Sequence, residues 1–407
     1  MSTLTVKNTF SALQYPNYRL WFGGQLVSLV GSWMQSTAQG YLVYELTGSE
    51  AYLGIVTFAS GLPTIIFSLY GGVIADRLPR RLLLIITQGS MMVLALMLAA
   101  LNFLHVIQPW HIVVMAFLLG IANAFDAPAR LTLPSVLVDK KDLTNAIALN
   151  SGMFNLALIV GPSVAGITYA ALGPAWCFTI NGLSFVAVIV ALLLMKLAPQ
   201  IAPVHRGNAL SDIGEGLRFS FSHPIIPMLL INIAAVSIFG FGMVTLLPAW
   251  SDTVLHGDVK TYGALLSARG IGSLIGSLTV AALGGHNVRG KLITIGGFVM
   301  PIALALFAFT RNINISLLLI MALGWALIAI VNSINATIQT AAPDAIRGRV
   351  MSIYSLVFMG STPIGGLMAG AFAEWIGAPL TAIISAGILF SVSLFYFFFR
   401  PVIWRLE

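Results

Sequence analysis

The chain has 407 residues, of which 58% are hydrophobic and only 8% charged, against roughly 25% charged in an ordinary soluble domain. This is the composition of an integral membrane protein: each bilayer crossing needs about 20 apolar residues, so twelve crossings with short connections use nearly the whole length and no separate soluble domain fits. The formal charge of +7 lies beside the apolar runs and not in one block, which excludes nucleic acid as a partner and points to membrane orientation.

Residues 1–19 form a polar N-terminal segment, and the apolar run that begins near Leu20 continues past signal-peptide length with no small-residue cleavage pattern. It is read as a retained first span. Further apolar runs fall at 52–75, 82–104, 110–130, 144–172 and 175–195, then, after a polar stretch, at 224–248, 262–284, 291–310, 314–339, 350–374 and 378–399. The expected organisation is therefore a six-helix half over 20–195, a linker over 196–223, a second six-helix half over 224–399 and a C-terminal segment over 400–407. With the N-terminus placed in the cytoplasm, 17 Lys and Arg residues fall on the inner side and only Lys260 and Arg311 on the outer, Arg269 being left inside a span. By the positive-inside rule both termini are cytoplasmic and the number of spans is even.

Within the linker, Leu210, Ile213, Leu217 and Phe221 recur at helical spacing between Asp212, Glu215 and Arg218, which predicts a short amphipathic helix on the membrane surface. An offset of 209 carries Gly54 to Gly263, Gly61 to Gly270, Arg80 to Arg289, Asn123 to Asn332 and Pro134 to Pro343. A tandem repeat of six spans places a substrate path between its halves.

The turn between the second and third spans reads Gly72-Val-Ile-Ala-Asp76-Arg77-Leu-Pro79-Arg80-Arg81. It resembles the signature loop of the major facilitator superfamily, Gly-x-x-x-Asp-Arg-x-Gly-Arg-Arg/Lys, with Pro79 in place of the second glycine. The resemblance implies a cytoplasmic gate in which Asp76 meets a facing helix end and Arg77, Arg80 and Arg81 pair with acids on neighbouring spans. In the fifth span Ala148, Ala157, Gly161-Pro162 and Ala165-Gly166 resemble the antiporter motif of the same superfamily, with alanine at three glycine positions. Small residues there permit close helix approach and the proline adds a bend, a suitable hinge at Gly161, Pro162 and Gly166. Asn123-Ala-Phe-Asp126-Ala-Pro128-Ala-Arg130, together with Tyr18-Arg19-Leu-Trp21, Gly31-Ser-Trp-Met-Gln35 and Arg347-Gly-Arg-Val350, resembles the branch that includes enterobactin exporters and macrolide efflux pumps. The fold implied is all-α, twelve transmembrane helices in two six-helix halves.

Charged residues inside spans are costly and are functional candidates. Asp126 and Arg130 stand one turn apart in the fourth span, either completing the gate or supplying a protonatable carboxylate for coupling. Arg269, two turns into the eighth span, either hooks an anionic substrate or pairs with Glu45, Asp252 or Glu374. Gln25, Ser28, Ser32, Gln35 and Gln39 form a polar stripe along the first span that is expected to face water, and Asn332, Asn335 and Gln339 form a shorter one in the tenth. No Walker loop, H-E-x-x-H or Gly-x-Ser-x-Gly pattern occurs, so neither an enzyme nor an ATP-driven pump is expected. The single Cys177 excludes an intrachain disulfide, and neither cofactor nor metal is expected beyond a proton as the coupling ion. The resemblance implies a secondary transporter working by alternating access. It implies a functional monomer in a bacterial inner membrane, exporting a small amphiphilic drug, macrolide or siderophore. Lipid flipping, solute uptake and a non-transporting receptor are the alternatives.

Overall fold

An apolar chain in hydrocarbon must satisfy its backbone hydrogen bonds within itself, and these long apolar runs do so as helices. The structure, a computed structural model, describes residues 10–196, 209–283 and 286–399, with the side chains at 68–77, 209–213 and 286–287 outside the description. The first six long helices are α1 (Pro16–Thr47), α2 (Glu50–Arg77), α3 (Arg80–Phe103), α4 (Pro109–Thr132), α5 (Leu143–Leu172) and α6 (Pro174–Leu194). The second six are α7 (Ile226–Val254), α8 (Val259–Leu283), α9 (His286–Phe309), α10 (Ile313–Ala341), α11 (Arg347–Ile376) and α12 (Ala378–Phe399).

Their ends follow local chemistry. Proline occupies the first position of α1, α4 and α6, where its missing N–H has no helical partner to lose. Gly173 and Gly377, at φ +86° and +82°, stop α5 and α11 in a conformation open to glycine. Among the described residues eleven helices are long and apolar enough to cross a membrane. The remaining long helix, α1, has 32 residues and spans about 48 Å, but its stripe of glutamines and serines makes it less apolar.

Helix α7 is not uniform. It is α-helical over Ile226–Ala235, widens to a π-helix over Val236–Phe241, tightens to a 3-10 helix over Gly242–Leu246 and widens again over Trp250–Val254. The change of winding occurs where Gly242 lies against the backbone of Gly365 in α11, consistent with a helix adjusting its pitch to a close neighbour.

The chain divides into two compact units, Met1–Gln39 with Ile66–His205, and Gly40–Ile65 with Arg206–Glu407. In the first, α3 packs against α4 and α6 over a core that includes Tyr18, Trp21, Leu84, Leu133 and Leu192. In the second, α10 packs against α8 and α9, and α9 against α12, around a core that includes Leu229, Trp250, Leu265 and Leu327. Here Glu374 of α11 accepts hydrogen bonds from the Ser49 hydroxyl (2.7 Å) and the Ala51 N–H (3.0 Å), so a carboxylate caps the first turn of α2.

The linker helix forms over Ala209–Ser222, with Leu210, Asp212 and Ile213 outside the described side chains. Its face toward α11 is the small one. Gly216 meets the backbone of Arg349, Glu215 forms an ion pair with Arg349 and Ser220 is buried, whereas Leu217 and Phe221 remain exposed.

Helices α8 and α10 approach most closely where Gly272 faces the Met321 carbonyl. A Cβ at Gly272 would collide with that backbone, so Gly272→Ala is expected to cost about 1–3 kcal/mol and lower the thermal midpoint of the purified protein in detergent by several degrees. Gly89→Ala in α3, where a Cβ meets nothing within 4 Å, is expected to leave that midpoint unchanged or slightly raised.

Candidate functional site

The first unit closes around a carboxylate. Asp126, in the second half of α4, is 2% exposed. Its Oδ1 accepts hydrogen bonds from Thr87 Oγ1 (3.0 Å) and Gln88 Nε2 (2.8 Å) of α3, and its Oδ2 accepts one from Arg130 Nε (3.0 Å) one turn on. Pro128 lies between the two charged residues and removes one backbone N–H from the helix at that point. A buried charge is costly unless paired and hydrogen-bonded, and here three donors serve the carboxylate. One polar atom is left over: Gln88 Oε1 is buried without a partner. Neighbouring Asn123 turns back to its own helix, donating to the Leu119 carbonyl (3.0 Å).

The rest of the expected gate divides. Gly72, Asp76 and Arg77 lie outside the described side chains. Among the described residues Arg81 meets no acid; its Nη2 and Nη1 donate to the carbonyls of Leu193 (2.7 Å) and Met195 (3.3 Å), capping the end of α6. Arg80 is half-buried at the start of α3 and does not reach Asp126, whose places are taken by Thr87, Gln88 and Arg130. The antiporter-like segment is a seam against α1. A Cβ at Gly161 would stand 2.5 Å from Trp33 Cβ and 3.0 Å from the Val30 carbonyl, and Ala157, Pro162, Ala165 and Gly166 are buried with it.

The polar stripe of α1 does not face water. Gln25, Ser28, Gln35 and Gln39 are buried and Ser32 is half-buried. The reason is α6: Asn181 donates to Gln35 Oε1 (2.6 Å), Ser184 hydrogen-bonds to Asn181, and a Cβ at Gly31 would reach both. At Gln35 an amide that looks solvent-seeking in sequence serves as a helix-to-helix hydrogen bond, whereas Gln25 Oε1 is buried without a partner.

In the second unit the offset of 209 has a geometric counterpart. Gln339 Nε2 donates to Asn335 Oδ1 at 2.8 Å, one turn apart on α10, the neutral equivalent of Arg130 on Asp126. Thr87 and Gln88 correspond to Gly296 and Gly297, which offer no side-chain donor. Asn332 reaches Ser277 of α8 at 3.5 Å. Asn332 and Asn335 are half-buried and Gln339 is exposed.

Arg269 is 9% exposed, and its Nε is buried without a hydrogen-bond partner. None of the three expected acids pairs with it among the described residues: Glu374 caps α2, and Glu45 and Asp252 are exposed. Tyr262, buried two turns earlier on the same face of α8, is the titratable side chain that acts on it.

A family model described as "Transmembrane secretion effector", of the major facilitator superfamily, matches residues 7–404. The chain belongs to that family. It is 27% identical to the multidrug efflux pump Tap of Mycolicibacterium fortuitum, over 88% of this chain and 89% of that one. Similarity to the staphyloferrin A transporter of Staphylococcus aureus is 26% over 96% and 98%, and to the enterobactin exporter of Shigella flexneri 25% over 91% and 88%. Among solved structures, the nucleoside transporter NupG superposes with a TM-score of 0.73 at 14% identity, covering 94% of this chain and 98% of that one. A bacterial homologue of the lysosomal transporter Spinster, inward-facing and occupied, gives 0.76 at 13% identity, covering 97% of each. These two establish the major facilitator fold. The chain is a multi-pass membrane transporter and not an enzyme, with a small molecule as its substrate.

Sequence reasoning missed the donors on α3, because Thr87 and Gln88 sit in an apolar run and only their position opposite Asp126 marks them. It also missed a cluster outside the spans, where the Tyr15 hydroxyl donates to Asp139 (2.9 Å) and Asp142 (2.8 Å). Desolvation together with these carboxylates pushes the Tyr15 phenol up to about 12.

The two repeats suggest a double substitution. Asp126→Asn alone leaves Arg130 without its anion, and Arg130→Gln alone leaves a buried carboxylate short of its cation, each expected to cost roughly 3 kcal/mol or more. The pair Asp126→Asn/Arg130→Gln recreates the amide pair of α10 and is expected to recover at least about 1 kcal/mol relative to the sum of the single changes. Thermal midpoints of the four proteins in detergent measure this coupling, and strict additivity would show that the two side chains do not act as a unit.

Proposed function

We propose that this transporter is a proton-driven exporter of a small amphiphilic compound, a drug, macrolide or siderophore, working by alternating access in a bacterial inner membrane with both termini cytoplasmic. The observation that carries this reading is the buried Asp126 with its two hydroxyl and amide donors and one cation. Export draws support from relatives named as an efflux pump and an exporter, and orientation from the distribution of basic residues.

A proton arriving at Asp126 Oδ1 turns the acceptor facing Gln88 into a donor and removes the charge that holds Arg130 on Oδ2, and the ion pair breaks. The new O–H then needs an acceptor in a dry site. Gln88 supplies one by rotating its amide, because its buried Oε1 has no other partner. Arg130, released, is free to leave its place beside Asp126, while the seam at Gly161, Pro162 and Gly166 provides a stiff pivot for α5 against α1. The motif Gly72, Asp76, Arg77, Arg80 and Arg81 acts in this reading as the cytoplasmic latch, and the monomer is the working unit. Asn332, Asn335 and Gln339 contribute neutral polar groups to the substrate path.

Everted membrane vesicles with an acidic interior test the proposal, using a panel of siderophores, macrolides and amphiphilic dyes. For the wild type, addition of a substrate is expected to collapse the gradient while the compound accumulates inside. Asp126→Asn/Arg130→Gln, which preserves the pairing without the charge, is expected to abolish proton movement. Gln88→Met, which removes the spare acceptor at similar volume, is expected to slow it about tenfold or more. Proton movement at the wild-type rate in a folded double variant would remove Asp126 from coupling.

A further inference from the structure

Two charged side chains among the described residues are buried deep in the spans, and they differ in one respect. Asp126 has its cation within the same unit, whereas Arg269 has no anion among the described residues. A guanidinium stays charged in any protein environment and presents five N–H donors. At 9% exposure that charge is expensive, and proteins ordinarily offset it with a carboxylate. Its principal neighbours supply none: α8, which carries Arg269, and α10, packed along it, contain no Asp or Glu, while Asp252 of α7 and Glu45 of α1 are exposed and do not pair with it. The Nε proton is buried without an acceptor. The backbone leaves little freedom to evade the problem, because the Arg269 carbonyl is set against Gly324 of α10, one turn from the tight contact at Gly272. Tyr262, two turns earlier on the same face of α8, is held by stacking on Tyr41 with centroids 6.2 Å apart, and its phenol adds a second donor to that face. A preformed cation with unused donors and a phenol beside it matches the charge, the acceptors and the ring-edge chemistry of an oxyanion on an aromatic or flexible carrier.

We propose that Arg269, assisted by Tyr262, is the recognition point for an anionic oxygen group, a carboxylate, catecholate or phosphate, on the molecule this transporter carries. The proposal rests on the transporter reading but not on proton coupling. It separates the chain's substrate from cationic and neutral amphiphiles, since these would leave Arg269 as uncompensated as it is without them.

The test is binding to the purified full-length protein in detergent, with no pH gradient, by isothermal titration. The probes are 2,3-dihydroxybenzoate against neutral catechol, and lysophosphatidylglycerol against lysophosphatidylcholine. 2,3-Dihydroxybenzoate is expected to bind the wild type and to bind Arg269→Gln at least about tenfold more weakly, while catechol does not discriminate. If lysophosphatidylglycerol alone shows that dependence, the same recognition stands with a lipid headgroup as its source. Arg269→Lys keeps the charge but loses the planar fork and is expected to fall severalfold below the wild type. That variant decides the matter where Arg269→Gln does not fold. Equal affinity of the variants and the wild type for both anions, or no binding of either anion to the wild type, overturns the proposal. Because no gradient is imposed, a failure of proton coupling leaves this result unchanged, and a failed titration leaves the vesicle assay standing.

Discussion

Hydrocarbon offers no hydrogen bonds, so every polar group that the chain carries into a span must find its partner within the protein. Much of the structure follows from that constraint. Gln35 and Asn181 meet across α1 and α6 at 2.6 Å, and their pairing fixes the rotation of one helix against the other. Arg81 spends its donors on the last carbonyls of α6, and Glu374 spends its oxygens on the start of α2. Each contact joins a side chain to a helix end or to another helix, so polarity inside this protein orients helices that apolar packing alone would leave free to rotate.

The same constraint gives meaning to the differences between the two repeats. At corresponding positions the first repeat holds Asp126 and Arg130 with Thr87 and Gln88 around them, and the second holds Asn335 and Gln339 with Gly296 and Gly297. The one-turn geometry is shared, and the charge is not. The amide pair is neutral, and at the positions corresponding to Thr87 and Gln88 the second repeat has Gly296 and Gly297, which face Ile330 and Ser393. A carboxylate needs every lone pair served, so two donors appear on the facing helix. The charged pair and its donors on the facing helix thus occur together in the first repeat, and both are absent at the corresponding positions of the second.

The helices were legible in the sequence because hydrophobic length alone marks a span, and all twelve long helices stand within a few residues of the apolar runs. The i, i+4 pair of Asp126 and Arg130 was legible for the same reason: helical spacing fixes it without tertiary knowledge. What the sequence concealed depended on which helix faces which. Helical periodicity shows that Gln25, Ser28, Gln35 and Gln39 share a face, but not that α6 covers that face with Asn181 and Ser184. The acids offered to Arg269 were chosen by depth along the span. Glu374 lies at a suitable depth and is nonetheless committed to the first turn of α2. Thr87 and Gln88 carry no signature at all, since a threonine and a glutamine in an apolar helix gain their role only from the aspartate opposite.

A transporter must let its buried polar groups exchange partners, and a group already saturated cannot do so without a replacement. Most polar groups in the spans are saturated and hold the helices in place. Gln88 and Arg269 are among the exceptions and are of opposite kinds, since Gln88 has a spare acceptor beside a satisfied carboxylate while Arg269 has an unused donor and no anion among the described residues. A spare acceptor can receive a proton's hydrogen bond, and a spare cation can receive an oxyanion. In the proposed reading, the spare acceptor in the first repeat and the unused donor in the second let the protein take up a proton and an anionic solute at separate points. Neither event then strands a charge in hydrocarbon.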